Sequence, residues 1–189
     1  MNNRLVVDVW SLSTRQENRG PIIGIDLGTS TSCIAIWDAT KSRAKVIRNS
    51  TTGKRTTPSV LLFDSSFSTP TILHNDTIPS SNIVVANWKR LLSCSKNNLS
   101  PEIMQNLHAE IDDNECLPCV RCELTAAKKT ALIPLEVLSS HVLKDLKISA
   151  ENYLKKNKEL SKLVGGDTVQ RAVIGVPVTF SLSFSLSPS

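Results

Sequence analysis

The stretch IIGIDLGTSTSCIAIWD, at residues 22–38, constrains the fold more than any other part of the 189-residue sequence. Residues 21–26 and 33–38 are apolar segments of strand length, and the residues between them are small and mostly hydroxylated. This pattern predicts two strands joined by a turn. A third strand centred on Val46 and Ile47, and a fourth beginning at Pro58, extend the prediction to a meander.

The composition of the turn suits an anion. A glycine with small neighbours lets backbone N–H groups approach a phosphate without interference from Cβ atoms. Asp26, at the end of the first strand, would repel a bare phosphate but would hold a hydrated Mg²⁺ ion that bridges it. The turn leads into a strand and lacks Gly-Lys-Ser/Thr, so it is not a Walker A loop, and a simple hairpin turn is the alternative.

Helical patterns follow further along the chain. Residues 81–92 and 101–111 are predicted as helices from their apolar spacing and their first residues. The clearest helix is predicted over residues 134–156, because apolar residues recur there at spacings of three and four. Its stripe consists of Leu135, Leu138, Val142, Leu146, Ala150 and Tyr153. Residues 171–180 are apolar at nearly every position, which is typical of a central strand that needs cover from helices.

Composition and charge narrow the classes of function. Hydrophobic residues make up 40% of the chain and charged residues 21%, as in an ordinary globular protein. The net charge is +5, but the basic residues are scattered and aromatics are only 4%, so a nucleic-acid surface is not expected. No apolar run approaches the roughly 18 residues of a membrane span. Residues 1–20 are predicted as a polar leader without signal-peptide features, so the expected compartment is the cytoplasm.

The cysteines allow two interpretations. Their number, five, is odd, which suits a reducing compartment. Cys116, Cys119 and Cys122 lie three apart, and His108 is the nearest fourth ligand for a metal ion. No second ligand pair follows them, so a loop that runs into a strand is the favoured interpretation.

Five blocks in order resemble the start of the ATPase domain of the seventy-kilodalton heat-shock chaperones, the DnaK-like family. They read IIGIDLGTSTSCIAIWD, RTTPSVLLF, KRLL, PLEVLSSHVLKDLKISAENYL and AVIGVPVTF. The resemblance implies an α/β fold of the actin-like, ribonuclease H-like ATPase type: a first lobe, with a mixed sheet and flanking helices, over residues 21–180. The family continues with a second phosphate loop and a second lobe, so this lobe is expected to be incomplete and residues 181–189 to be a low-complexity tail.

The resemblance also implies roles for individual residues. Asp26 would hold Mg²⁺ through water, Lys89 would be the catalytic lysine that reaches the terminal phosphate of ATP, and Pro177 would signal between domains. The residues that would bind the phosphates of ATP or ADP are Gly28, Thr29, Ser30 and Thr31. Each role has a simpler competitor, since Lys89 fits a solvated helix face, Asp26 fits a turn cap and Pro177 fits the end of a strand.

The sequence departs from the family pattern near the nucleotide. Thr31 stands where the family usually has Tyr, Gly175 where it usually has Thr, and Ala86 and Asn87 where it has Phe and Asp. These departures predict a divergent member with loosened nucleotide contacts.

The expected function is therefore an ATP-binding fragment of a heat-shock-type chaperone, active in protein folding and the stress response, with weak or no hydrolysis alone. Its expected partners are co-chaperones or full-length chaperone relatives, without nucleic acid or membrane. Two alternatives remain: a non-enzymatic, partner-binding truncated isoform, and another actin-like or sugar-kinase-type nucleotide-binding protein.

Overall fold

The computed structural model describes residues 5–8, 20–38, 40–64, 69–74, 83–93, 101–106, 109–111, 118–124 and 129–176. The strands are β1 (Leu5–Asp8), β2 (Ile22–Leu27), β3 (Thr31–Asp38), β4 (Arg43–Ile47), β5 (Thr57–Pro58), β6 (Leu61–Phe63), β7 (Thr71–Ile72), β8 (Ile83–Val85), β9 (Ala109–Ile111), β10 (Pro118–Leu124), β11 (Lys129–Pro134) and β12 (Arg171–Val176). The helices are a 3₁₀ helix (Trp88–Ser93), α1 (Pro101–Asn106), α2 (Leu135–Lys156) and α3 (Lys158–Leu163).

The main sheet has the order β1-β12-β2-β3-β4, with β5 paired to the start of β3. β2, β3 and β4 are antiparallel neighbours, which confirms the predicted meander for its first three strands. β12 is parallel to β2 and lies between β2 and β1, so its predicted central position is also confirmed. β1 comes from the segment expected as a leader, and it pairs antiparallel with β12.

The two faces of the main sheet differ because successive side chains of a strand point to opposite sides. Ile23 and Ile25 pair with Ile36 and Ile34, and all four are buried in the core that packs under α2. Asp26 belongs to the other face. The sheet therefore presents apolar side chains to α2 and carries Asp26 at the end of β2 on its opposite side.

The long helix was predicted correctly. α2 begins directly after Pro134, which has an extended backbone, and has Glu136 in its first turn and lysines in its last turn, where each charge complements the helix dipole. Its buried residues are Leu135, Leu138, Val142, Leu146, Ser149, Ala150 and Leu154. This stripe packs against β3, β4, β10 and the 3₁₀ helix, so α2 joins the main sheet to the two smaller ones.

A buried amide fixes the loop between β4 and β5 to α2. Asn49 is 4% exposed, and its Nδ2 donates to Thr57 Oγ1 at 2.8 Å and to Asp145 Oδ2 at 3.0 Å. Its Oδ1 accepts from the backbone N–H groups of Thr51 and Thr52. Because all of these groups belong to one network, the position of β5 beside the first turn depends on α2.

The prediction of a helix over residues 81–92 was wrong. Ile83–Val85 forms β8, which pairs with β6, and a 3₁₀ helix begins at Trp88. Between them Asn87 has φ +58°, a left-handed conformation that asparagine tolerates but that interrupts an α-helix. The backbone therefore changes direction one residue before Trp88.

Four other predictions need correction or lie outside the described residues. The fourth strand is split, since Thr57–Pro58 pairs with β3 whereas Leu61–Phe63 belongs to a separate sheet with β7 and β8. The helix predicted over 101–111 ends at Asn106, and Ala109–Ile111 is a strand. Pro177 and residues 181–189 lie outside the described residues.

Within the described part of the chain, no helix is both long and apolar enough to cross a bilayer.

Candidate nucleotide-binding site

The turn between β2 and β3 depends on a residue without a side chain. A Cβ atom at Gly28 would lie 2.6 Å from the carbonyl O of Thr31, closer than real Cβ contacts allow. The far side of the turn is held by Ser59, whose N–H donates to Ser30 O at 2.9 Å, and by the pairing of Thr31 with Pro58. The turn is thus a tight backbone loop, braced by the segment that follows β5.

Lys89 lies beneath this loop. Its Nζ donates to Gly28 O at 2.9 Å, to Ser32 Oγ at 2.5 Å and to Ser59 Oγ at 2.6 Å. An ammonium group has three N–H donors, so these contacts use all of them. Only 6% of the residue is exposed, so the competing interpretation of a solvated lysine on a helix face does not hold.

The position of Lys89 follows from its neighbour. Trp88 is fully buried, and its indole Nε1 donates to Ser59 O at 2.8 Å. The Lys89 Nζ also lies 5.5 Å from the centre of the Trp88 ring, within the range of a cation–π contact. The buried indole therefore anchors the 3₁₀ helix and sets Lys89 in place under the turn.

The protein environment changes the acidity of Lys89. Burial lowers the pKa of its ammonium from 10.5 to about 8, and the nearby Asp26 carboxylate acts in the opposite direction. At neutral pH the group is therefore mostly charged, with a proton held less firmly than in water. The structure thus brings Asp26, Gly28 and Lys89 together.

Asp26 has small neighbours on its face of the sheet. In the register of the strands it lies between Cys33 of β3 and Gly175 of β12. Asp26 is half-buried, and both of its neighbours in the register are small. A carboxylate in such a place fits a hydrated Mg²⁺, which keeps several waters and takes one or two protein oxygens.

The remaining loop residues form the outer side of the turn. Thr29 is half-buried, whereas Ser30 and Thr31 are exposed. The side-chain hydroxyls of Ser30 and Thr31 are thus accessible to a ligand, whereas the Lys89 ammonium is buried on the inner side of the turn. This arrangement fits a phosphate held near a glycine turn, with a carboxylate for the metal at the end of the preceding strand.

Sequence reasoning missed the residues that hold Lys89. Ser32 and Ser59 are buried hydroxyls, 1% exposed each; Ser32 was counted only as part of the predicted turn and Ser59 only as part of a predicted strand. A serine directly before the apolar run VLLF was the available signal, because a hydroxyl entering a core needs a partner. Nothing in the local pattern showed that the partner would be Lys89.

The cysteines do not combine into a metal site in the part of the chain that is described. Cys119 and Cys122 are both buried on β10, and their odd spacing directs them to opposite faces of the strand. Burial raises the pKa of the Cys122 thiol to about 11, which opposes the thiolate form that binds metals. Cys116 and His108 lie outside the described residues.

Comparison with known proteins agrees with the fold and with the order of the sequence blocks. The model of the Hsp70 protein family matches residues 22–182. The chain is 32% identical over 169 residues to the chaperone protein DnaK of Buchnera aphidicola subsp. Schizaphis graminum, an alignment that covers 86% of this chain. It is 31% identical over 165 residues to heat shock 70 kDa protein 2 of Paracoccidioides lutzii, covering 85% of this chain.

The class that these findings define is a mixed α/β fold of the actin-like ATPase type, here its first lobe. The chain belongs to the Hsp70 family. It matches the N-terminal portion of its relatives and spans 23% and 22% of the lengths of the two that are named above.

Proposed function

We propose that this chain binds Mg-ATP or Mg-ADP at the turn after β2, as the first lobe of a heat-shock-type chaperone ATPase. One observation carries the proposal: Asp26, the side-chain-free Gly28 and the buried Lys89 meet at the end of one strand. In the proposal the phosphates contact the loop Gly28–Thr31 and the Asp26 carboxylate holds Mg²⁺ through water. Membership of the Hsp70 family supports this assignment.

Weak or no hydrolysis by the chain alone is part of the proposal. Phosphoryl transfer depends on charged groups that position the attacking water and neutralise the transferred phosphoryl. The three donors of Lys89 already contact Gly28, Ser32 and Ser59. To act on a phosphate, Lys89 would have to give up at least one of these hydrogen bonds, and each bond from a charged group stabilises the fold by about 1.5–3 kcal/mol.

The first test is thermal unfolding of the purified chain with and without millimolar Mg-ATP. A ligand present at about ten times its Kd stabilises the folded state by about 1.4 kcal/mol, which raises the Tm of a domain of this size by about 3–6 °C. Asp26→Asn should remove this shift. Glu136→Gln removes the same charge at an exposed site on α2 and should keep it. A shift that survives Asp26→Asn would count against the proposed magnesium site.

A second candidate function is non-enzymatic binding to a co-chaperone or a full-length relative. The observation that favours it is an exposed apolar patch on the face of the main sheet opposite α2, formed by Ile22 (45% exposed), Trp37 (58%) and Val46 (42%). The test is capture of a purified full-length relative by the chain, compared with a Trp37→Glu variant. If the native chain and the Trp37→Glu variant captured the relative equally well, the patch would not be its binding site.

A cytoplasmic location belongs to the same proposal. Its support is chemical, because Cys122, in the described part of the chain, is a buried cysteine that forms no disulfide. Free thiols persist in a reducing compartment.

A further inference from the structure

A second concave surface lies beside α2, on the face of the main sheet that carries the apolar core. It is a groove of about 310 Å³. Its floor is made by Ile23 and Ile25 of β2 and by Ala172 and Ile174 of β12, and Leu143 of α2 forms part of its wall. Asp26 points away from this face, so the groove is separate from the turn that follows β2.

The rim of the groove is basic. Lys144 and Lys147 lie one helical turn apart on α2, and Arg171 lies at the start of β12. Lys147 Nζ is 3.6 Å from Glu151 Oε1, but that carboxylate also accepts the N–H of Val169. Lys144 is exposed, and no carboxylate of the described residues lies within ion-pair distance of it. An apolar floor is thus bordered by an excess of positive charge.

The dimensions of the groove suit a helix. The lining residues of α2 run from Ser140 to Lys147, a length of about 10 Å at 1.5 Å per residue. A volume of about 310 Å³ accepts a few aliphatic side chains, as hydrophobic grooves do when they take the i, i+3, i+4 and i+7 residues of an amphipathic helix. Carboxylates that flank such a stripe would lie next to Lys144 and Lys147.

We propose that this groove is the docking site for an amphipathic α-helix of a partner protein, with acidic residues flanking its apolar stripe. The apolar floor supplies contact area, and the lysine rim selects the sign of the charge on the incoming helix. The proposal does not rest on nucleotide binding, because residues 26–31 are not among the residues that line the groove.

The probe is a fluorescein-labelled synthetic helical peptide with leucines at i, i+3, i+4 and i+7 and glutamates on both flanks. The comparison peptide has the same sequence with lysines in place of the glutamates. Binding of each to the full 189-residue chain is followed by fluorescence anisotropy at low salt. We expect the glutamate peptide to bind at least about tenfold more tightly than the lysine peptide.

Charge reversal supplies the decisive comparison. The double variant Lys144→Glu/Lys147→Glu should reverse the preference between the two peptides. The matched control, Lys155→Glu/Lys156→Glu, changes the same charge on the same helix outside the groove and should keep the wild-type preference. Should the first double variant unfold, Lys144→Glu alone serves, since Lys144 is exposed and its replacement should still weaken binding of the glutamate peptide about threefold or more.

Three results would overturn the proposal. The first is equal binding of the two peptides, which would indicate unspecific apolar adsorption. The second is binding of the dye anilinonaphthalene sulfonate in the groove when neither peptide binds, which would make the groove a small-molecule cavity. The third is peptide binding only after residues 177–189 are deleted, which would assign the groove to the chain's own C-terminal segment.

Discussion

Replacement of Lys89 by methionine should change how the stability of the protein depends on pH. Lys89 is 6% exposed, and burial lowers the pKa of its ammonium from 10.5 to about 8. Between these two pH values the unfolded chain binds a proton that the folded protein does not. Stability rises with pH wherever the unfolded state binds more protons, so the free energy of unfolding of the native protein should rise from pH 8 to pH 10.5 through this group.

The magnitude follows from the shift. Each pKa unit corresponds to about 1.36 kcal/mol, so burial of the charged amine costs about 3 kcal/mol at neutral pH. Between about pH 7.5 and pH 10, roughly 2 kcal/mol of that cost is relieved. Methionine carries no proton, so Lys89→Met removes the pH-dependent contribution. At neutral pH the variant also loses three hydrogen bonds from a charged group, together worth about 4.5–9 kcal/mol, which exceeds the burial cost that it avoids.

The assay is urea unfolding of both proteins at about pH 7.5 and about pH 10. At the lower pH we expect Lys89→Met to be less stable than the native protein by about 1.5–6 kcal/mol. At the higher pH the native protein should gain about 2 kcal/mol relative to Lys89→Met. Lys158→Met, at an exposed lysine of α3, measures the effect that pH has on any lysine replacement. A difference between native protein and Lys89→Met that stays constant or shrinks as pH rises would refute the reasoning.

Three further substitutions test the turn, the core and the network that supports them. Gly28→Ala forces a Cβ to within 2.6 Å of a backbone carbonyl and should lower the free energy of unfolding in urea by about 1–3 kcal/mol. For the control, Gly24→Ala, the nearest contact is at 3.9 Å and the loss should be under about 1 kcal/mol, so equal losses would contradict the steric argument. Leu138→Ala, at a fully buried site, should lower the free energy of unfolding by about 2–5 kcal/mol. Leu163 is 59% exposed, so Leu163→Ala should lower it by under about 0.5 kcal/mol. A smaller difference between the two variants in chemical denaturation would mean that α2 packs loosely. Asn49→Ala removes hydrogen bonds that join the loop before β5 to α2 and should lower the free energy of unfolding by about 1–3 kcal/mol; a loss under about 0.5 would show that the loop holds without α2.

The predictable parts of this fold are those in which local pattern and tertiary environment agree. The period of two in β2 and β3 places Ile23 and Ile25 on one face, and the period of 3.6 in α2 places Leu138 and Leu146 on another. Both patterns repeat over several turns or pleats. Each surface also packs on the other, so a single apolar core satisfies both, and the sequence was sufficient to predict these elements.

The segment around Lys89 was not predictable in the same way. Ile83–Val85 has apolar residues that fit a helix as well as a strand, and pairing with β6, which is 20 or so residues away in sequence, decides between them. Asn87, which has a left-handed backbone conformation, then separates β8 from the 3₁₀ helix. The sequence of a short apolar run says little about its secondary structure, because tertiary hydrogen bonds outweigh its small intrinsic preference for helix or strand.

The same contrast applies to the candidate site. Asp26 and Gly28 lie on one continuous segment, so a turn with anion-binding character could be inferred from adjacent residues. Lys89 reaches that turn from 61 residues away, and only a family pattern suggested that it belonged there. Its contacts with Ser32 and Ser59 depend on three separate chain segments that meet in the fold.

These contacts give the loop a property that its sequence does not contain. Because the Lys89 ammonium donates to Gly28 O, it fixes the position of that carbonyl in the turn. A phosphate that binds there would meet a loop that is already ordered, so little conformational entropy would be lost on binding. The charge of Lys89 would also act across the thin loop on any anion outside it, in a region where burial limits screening by water. In the site that we propose, Lys89 would thus favour phosphate binding without touching the phosphate, and loss of Mg-ATP binding in Lys89→Met would accompany loss of the ordered turn.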